Sequence, residues 1–249
     1  MIWLMASLPL SGLRAGFHSL AFILIGVAPI WVRYVSARIR ASPSGAARLL
    51  GYRLAIASML VATVAAFLLV HPPILFSIQT HNRGVTWLPS REIISIGAFF
   101  LVLLTALPIL LARRKGPFRI NFLQQVARLR GLLPKTRQER LWFAAAAICA
   151  GGCDEVLYRG FLLHYLHVFP WNLNIAASLM ISCAVYGVLS LHQSVGGLLQ
   201  TVLLALGMAL LFLSTRSLLS PIVLHILINL RVVLALPDNP PPSSFPDFP

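Results

Sequence analysis

The chain has 249 residues, 58% of them hydrophobic and 10% charged, with a mean hydropathy of +0.85. A soluble domain carries about 25% charged residues, so this composition excludes an ordinary soluble fold. It leaves an all-α, polytopic membrane helix bundle of about seven spans. The formal charge of +14 is not read as a nucleic-acid footprint, because the Lys and Arg residues cluster in the connections between apolar runs.

In chain order, the candidate spans are Phe17 to Val32, Leu54 to Val70, Ile93 to Ala112, Leu141 to Leu166, Ile175 to Leu191, Val195 to Leu213 and Leu218 to Leu236. The first lacks the basic leader of a cleaved signal peptide and is expected to be retained. After it comes a connection holding Arg33, Arg38, Arg40, Arg48 and Arg53. The connection after the third span runs from Arg113 to Arg140 and is richly basic, whereas the intervening loop, His71 to Glu92, holds only Arg83 and Arg91. The positive-inside rule therefore puts the two basic connections in the cytoplasm and the N-terminus outside, with Arg231 also inside.

Within the second basic connection, Phe118 to Leu133 has the pattern of an amphipathic helix, with Phe118, Phe122, Val126 and Leu129 on one side. Such a helix would anchor to an anionic inner leaflet. Three parts follow: spans and basic loops over 1–140, a helix bundle over 141–236, and a proline-rich, poorly ordered tail over 237–249. An inner or plasma membrane of bacterial type is the expected location.

Only six acidic residues occur in the chain, and two of them, Asp154 and Glu155, are adjacent inside the span Leu141 to Leu166. Carboxylates at membrane depth are costly and mark a site or an ion pair. Arg159 lies four residues beyond Glu155, one helical turn on, and shares its face. Asp154 lies about 100° around the helix and has no such mate. The segment Tyr186 to Gln193 and the pair His225 and Asn229, four residues apart on one face, add further polar groups at the same depth. Pro221, one turn before His225, is expected to bend its helix. Cys149, Cys153 and Cys183 read as packed small residues. Cys149 and Cys153 share a helix face but lack two further soft ligands for a metal.

From Ala144 to Leu230 the sequence resembles the CPBP, or Abi, intramembrane endopeptidases, which include the type II CAAX prenyl endopeptidases. That family's pattern is Glu-Glu-x-x-x-Arg, Phe-x-x-x-His and His-x-x-x-Asn on separate membrane helices. Tyr158-Arg159-Gly160-Phe161-Leu162 and Ser217-Leu218-Leu219-Ser220-Pro221-Ile222 match its surroundings as well. The resemblance implies that Asp154 is the base that activates a water, and that Glu155 pairs with Arg159. It also implies that His225 and Asn229 stabilise the oxyanion. It further implies a lipidated or transmembrane protein as substrate; no nucleic acid and no cofactor are expected.

Two positions depart from the pattern. The first acid is Asp instead of Glu, one methylene shorter. Aligning Tyr186-Gly187 on the family's Phe-Gly puts Ser190 where the second motif has its His. His192 stands two residues later, about 200° around an ideal helix; either a local bulge brings it in to substitute, or the site lacks that imidazole.

A Ser190–His192 dyad fails because residues two apart do not face each other. Glu155, His192 and His225 do not form a standard zinc motif, and Asn229 is a poor zinc ligand, so no metal is expected. Two readings from other classes remain. One is a catalytically degenerate membrane protein that binds a partner. The other is a small carboxylate-dependent transporter.

Overall fold

The computed structural model describes residues 10–41, 44–70, 76, 92, 96–97, 130–168, 170–189 and 195–235. These residues contain no strand and form six helical rods. The first rod is α1, Leu10–Phe22, a π-helical turn, Ile23–Val27, and α2, Ala28–Ala41; the second is α3, Gly45–Leu69. The third is α4, Arg137–Asp154, a π-helical stretch, Glu155–Leu162, and α5, Leu163–His167. Then come α6, Ile175–Val188, α7, Val195–Thr215, and α8, Leu219–Ala235.

Three rods are long and apolar enough to cross a bilayer: Gly12–Ala41, Gly45–Leu69 and Arg137–His167. Ile175–Val188, Thr201–Thr215 and Leu219–Leu230 are shorter apolar helices. Large apolar side chains point outward along the rods, including Phe22, Ile30, Val61, Leu203 and Leu227. Such a surface suits lipid and would be a liability in water. The protein is a helical, integral membrane bundle. Most of the expected third span, the greater part of the basic connection and the tail from 237 lie outside the described residues, so six rods stand against about seven spans expected. Of the expected amphipathic helix only its end is described, and there Arg130–Leu132 is a 3₁₀ turn.

Local sequence sets the helix starts. Ser44, Thr136 and Asn174 occupy N-caps, and their side chains accept from the backbone N–H groups of Ala47, Glu139 and Ala177. Each satisfies a donor that the helix itself cannot. Pro221 corrects an expectation. Because α8 begins at Leu219, the proline sits in the first turn, where its missing N–H would have had no intrahelical partner. It helps to start the helix that carries His225.

Next to the cap of α4, Glu139 accepts from Arg48 Nε at 2.9 Å and Nη2 at 3.0 Å, and from the Lys135 backbone N–H at 2.7 Å. Both side chains are almost fully buried. The Tyr52 hydroxyl donates to the Leu132 carbonyl, and Arg53 lies 4.6 Å over the Trp142 ring. These contacts tie the start of α3 to the start of α4. The end of the first basic connection and the described end of the second therefore meet at one face of the bundle.

Further along α4, α8 crosses very closely. A Cβ built on Gly151 would lie 2.7 Å from the Ile226 backbone nitrogen and 2.9 Å from its Cα. Only glycine allows that approach, a familiar device for packing membrane helices. The core beyond it is built from Phe17, Leu24, Ala66, Phe161, Leu162, Leu179, Ala205 and Phe212. It joins α1, α3, the second π-helical stretch, α6 and α7.

Candidate active site between the C-terminal helices

The third rod changes winding where its acids begin. Asp154 closes α4, and the π-helical stretch starts at Glu155, so the backbone turn widens between the two carboxylates. Such segments are uncommon and recur at functional sites because they displace side chains from ordinary helical positions. Part of the altered backbone is satisfied from outside: Ser182 Oγ on α6 donates to the Tyr158 carbonyl at 2.8 Å.

Glu155 is wholly buried. Its Oε1 lies 2.8 Å from His225 Nδ1 and 3.2 Å from Arg159 Nη1. The expected Glu155–Arg159 pairing is thus present despite the wider turn, as an ion pair without hydrogen-bond geometry. Arg159 Nη2 donates to the Ala205 carbonyl on α7 at 3.2 Å, and the guanidinium carbon lies 4.7 Å over the Tyr186 ring. This side chain links three elements. Glu155 Oε2 has no hydrogen-bond partner among the described residues.

Asp154 faces a different way from Glu155, as its place on the helix predicts, yet it has a partner. The Tyr186 hydroxyl donates to Asp154 Oδ2 at 3.1 Å and lies 3.4 Å from His225 Nε2. Sequence reasoning placed Tyr186 in the right segment and assigned it nothing. The available signal was a phenol standing where the family pattern has Phe.

Asp154, Glu155, Arg159 and His225 converge. Asn229 does not join them: its amide donates to the Ala147 carbonyl at 3.2 Å, one turn further along α8. In this conformation it ties α8 to α4. The helix α6 ends at Val188 with Leu189 as its C-cap, and both Ser190 and His192 lie outside the described residues.

Beside Asp154 and Tyr186 lies a cavity of about 450 Å³, with Leu157, Tyr158 and Leu189 on the same side. Across from them, Ile23, Leu24 and Val27 come from the first π-helical turn, and Met59 and Ala62 come from α3. Both π-helical segments thus border one apolar chamber whose polar end is a carboxylate and a phenol. Such a chamber can seat an extended apolar group and bring a bond of it to the acid.

Cys149 and Cys153 lie 3.6 Å apart through their sulfurs, and all three cysteines are free. Among the described residues, no three His, Cys, Asp or Glu side chains are grouped to hold a metal ion.

No curated protein and no solved structure matches the chain. Residues 136–231, which span Asp154, Glu155, Arg159, Tyr186, His225 and Asn229, match the family described as type II CAAX prenyl endopeptidase Rce1-like, the kind of family that the motifs resemble.

Proposed function

We propose that the protein is an intramembrane endopeptidase that hydrolyses a peptide bond of a lipidated or transmembrane protein with a carboxylate-activated water. The observation that carries this reading is Asp154 at the polar end of an apolar chamber, next to a buried Glu155–Arg159–His225 cluster. In this reading Asp154 takes a proton from water held in the chamber. The water oxygen adds to the carbonyl carbon, and the carbonyl π pair moves to its oxygen. By resemblance the developing oxyanion falls to His225 and Asn229: Asn229 meets it if its amide leaves the Ala147 carbonyl, and His225 if its Nε2–H turns from Tyr186. Arg159 stands against Glu155 as its cationic partner, and Glu155 in turn fixes the ring of His225. His192 is assigned to hold the attacking water, by resemblance alone. The site serves an inner or plasma membrane of bacterial type, with the basic connections on the anionic leaflet.

A second reading has one observation in its favour. The Asn229 amide is engaged as a tie between α4 and α8, which suits a degenerate member of the family that binds a partner without cutting it. The two readings separate in one experiment. The purified protein in liposomes is offered a panel of prenylated and transmembrane peptides, alongside Asp154→Asn and Glu155→Gln. Cleavage by the wild type that both substitutions abolish is the expected result. Binding without cleavage across the panel favours the second reading.

A further inference from the structure

The two carboxylates are neighbours in the chain, but a longer route joins them in space. Asp154 Oδ2 lies 3.1 Å from Tyr186 Oη, and Oη lies 3.4 Å from His225 Nε2. His225 Nδ1 then lies 2.8 Å from Glu155 Oε1. The middle link is long for a hydrogen bond, and such bonds tighten when substrate closes a site.

A phenol has one hydrogen, so Tyr186 donates to one neighbour and accepts from the other. Once the group holds one proton beyond those of its ionised carboxylates, neutral imidazole and phenol, two arrangements complete all three bonds. In one, Asp154 is protonated and donates to Oη, Tyr186 donates to Nε2, and neutral His225 keeps its N–H on Glu155. In the other, Tyr186 donates to an ionised Asp154, and His225 carries protons on both nitrogens. The two contain the same atoms and the same net charge. A shift of one proton from Asp154 to Oη, with the phenol's own proton moving to Nε2, converts the first into the second.

We propose that Tyr186 is a proton-relay residue of this site, whose hydroxyl passes to His225 the proton that Asp154 takes from the attacking water. The proposal rests on the hydrolytic reading above and assigns that reaction a residue outside the family pattern. As the water oxygen bonds to the carbonyl carbon, the water's proton goes to Asp154. The relay then restores the Asp154 carboxylate and leaves a positive imidazole, whose charge is met by Glu155 at 2.8 Å. When the C–N bond breaks, its electron pair takes a proton returned along the same chain, so no proton is gained or lost overall. A buried imidazolium is costly without such a counter-ion, and the Glu155 contact supplies one. Tyr186 is also held independently of its hydroxyl, edge-on to Tyr158 with ring centroids 5.0 Å apart and under Arg159. Removing only the oxygen therefore keeps the ring seated.

The test compares the full-length wild type with Y186F in liposomes on a peptide that the wild type cleaves. The relay predicts a fall in kcat of about 100-fold, with KM and melting temperature close to wild type. A Y186F protein that cleaves as fast as wild type overturns the relay and leaves the hydrolytic reading standing. A wild type that cleaves nothing in the panel removes both. Should Y186F also melt early, fluorinated tyrosines placed at position 186 keep the ring and hydroxyl while changing its acidity. A kcat that changes stepwise with fluorine number supports the relay, and a flat series overturns it.

Discussion

Arg159→Ala probes the centre of the cluster. The guanidinium is 3% exposed and its partner Glu155 is 0% exposed, so the substitution strands a carboxylate that water cannot reach. Breaking a buried pair by removing one partner costs about 3–5 kcal/mol. Lost contact with the Tyr186 ring adds about 0.5–2 kcal/mol, and the Ala205 carbonyl loses a donor worth about 1 kcal/mol. These costs overlap, because the first already counts the broken contacts of the pair, so the expected net loss is about 3–5 kcal/mol. At about 2–4 °C per kcal/mol for a chain of this size, the melting temperature in detergent should fall by about 6–20 °C. Charge stranding, rather than the lost side-chain volume, is the dominant part of this cost. Adding Glu155→Gln to Arg159→Ala should therefore recover more than half of the loss, although Gln alone would not restore activity. Arg159→Lys should fall between, since an ammonium keeps the charge but cannot reach Glu155 and the Ala205 carbonyl together. An Arg159→Ala protein melting within about 2 °C of wild type, less than 1 kcal/mol on this scale, would refute the buried-pair argument. So would a double variant no more stable than the single.

Three further outcomes follow from the fold. Glu139→Ala leaves the buried Arg48 without its two-pronged acceptor and frees the Lys135 N–H, with an expected loss of about 3–5 kcal/mol in thermal or denaturant unfolding. A loss below about 1 kcal/mol would show that the pair is hydrated, like a surface salt bridge. Gly151→Leu must push α8 away, since even a Cβ would lie 2.7 Å from a backbone nitrogen. Cleavage should be lost, and a cysteine pair placed across α4 and α8 should no longer crosslink; unchanged crosslinking would refute the close approach. Single-cysteine labelling in a cysteine-free background should find positions in Arg113 to Arg140 reactive only from the cytoplasm, and positions in His71 to Glu92 only from outside. Labelling of the first loop from outside would overturn the orientation.

Much of this protein is legible in its sequence, for identifiable reasons. Bilayer spans need long apolar runs, and lipid admits few charges. Composition alone therefore announces a helical membrane bundle, and Asp154 and Glu155 stand out against it. The Glu155–Arg159 pair follows from spacing along one helix, as does the shared face of Cys149 and Cys153, because these contacts are local. What depends on the crossing of distant helices is not written in any periodicity. The partner of Asp154 is a phenol 32 residues away, and the second partner of Glu155 is an imidazole 70 residues away. They are set by how α6 packs on the second π-helical stretch and how α8 packs on α4, and the approach of α8 turns on the absence of a side chain at Gly151. The change of winding at Glu155 is equally hidden. A π-helical stretch has no residue signature of its own and persists here because neighbouring elements satisfy its backbone, as Ser182 does for Tyr158. Asn229 shows the same limit from the other side. Its spacing from His225 predicts a shared face, but only the tertiary structure decides that its amide meets the Ala147 carbonyl, because that choice depends on which carbonyl an adjacent helix happens to present.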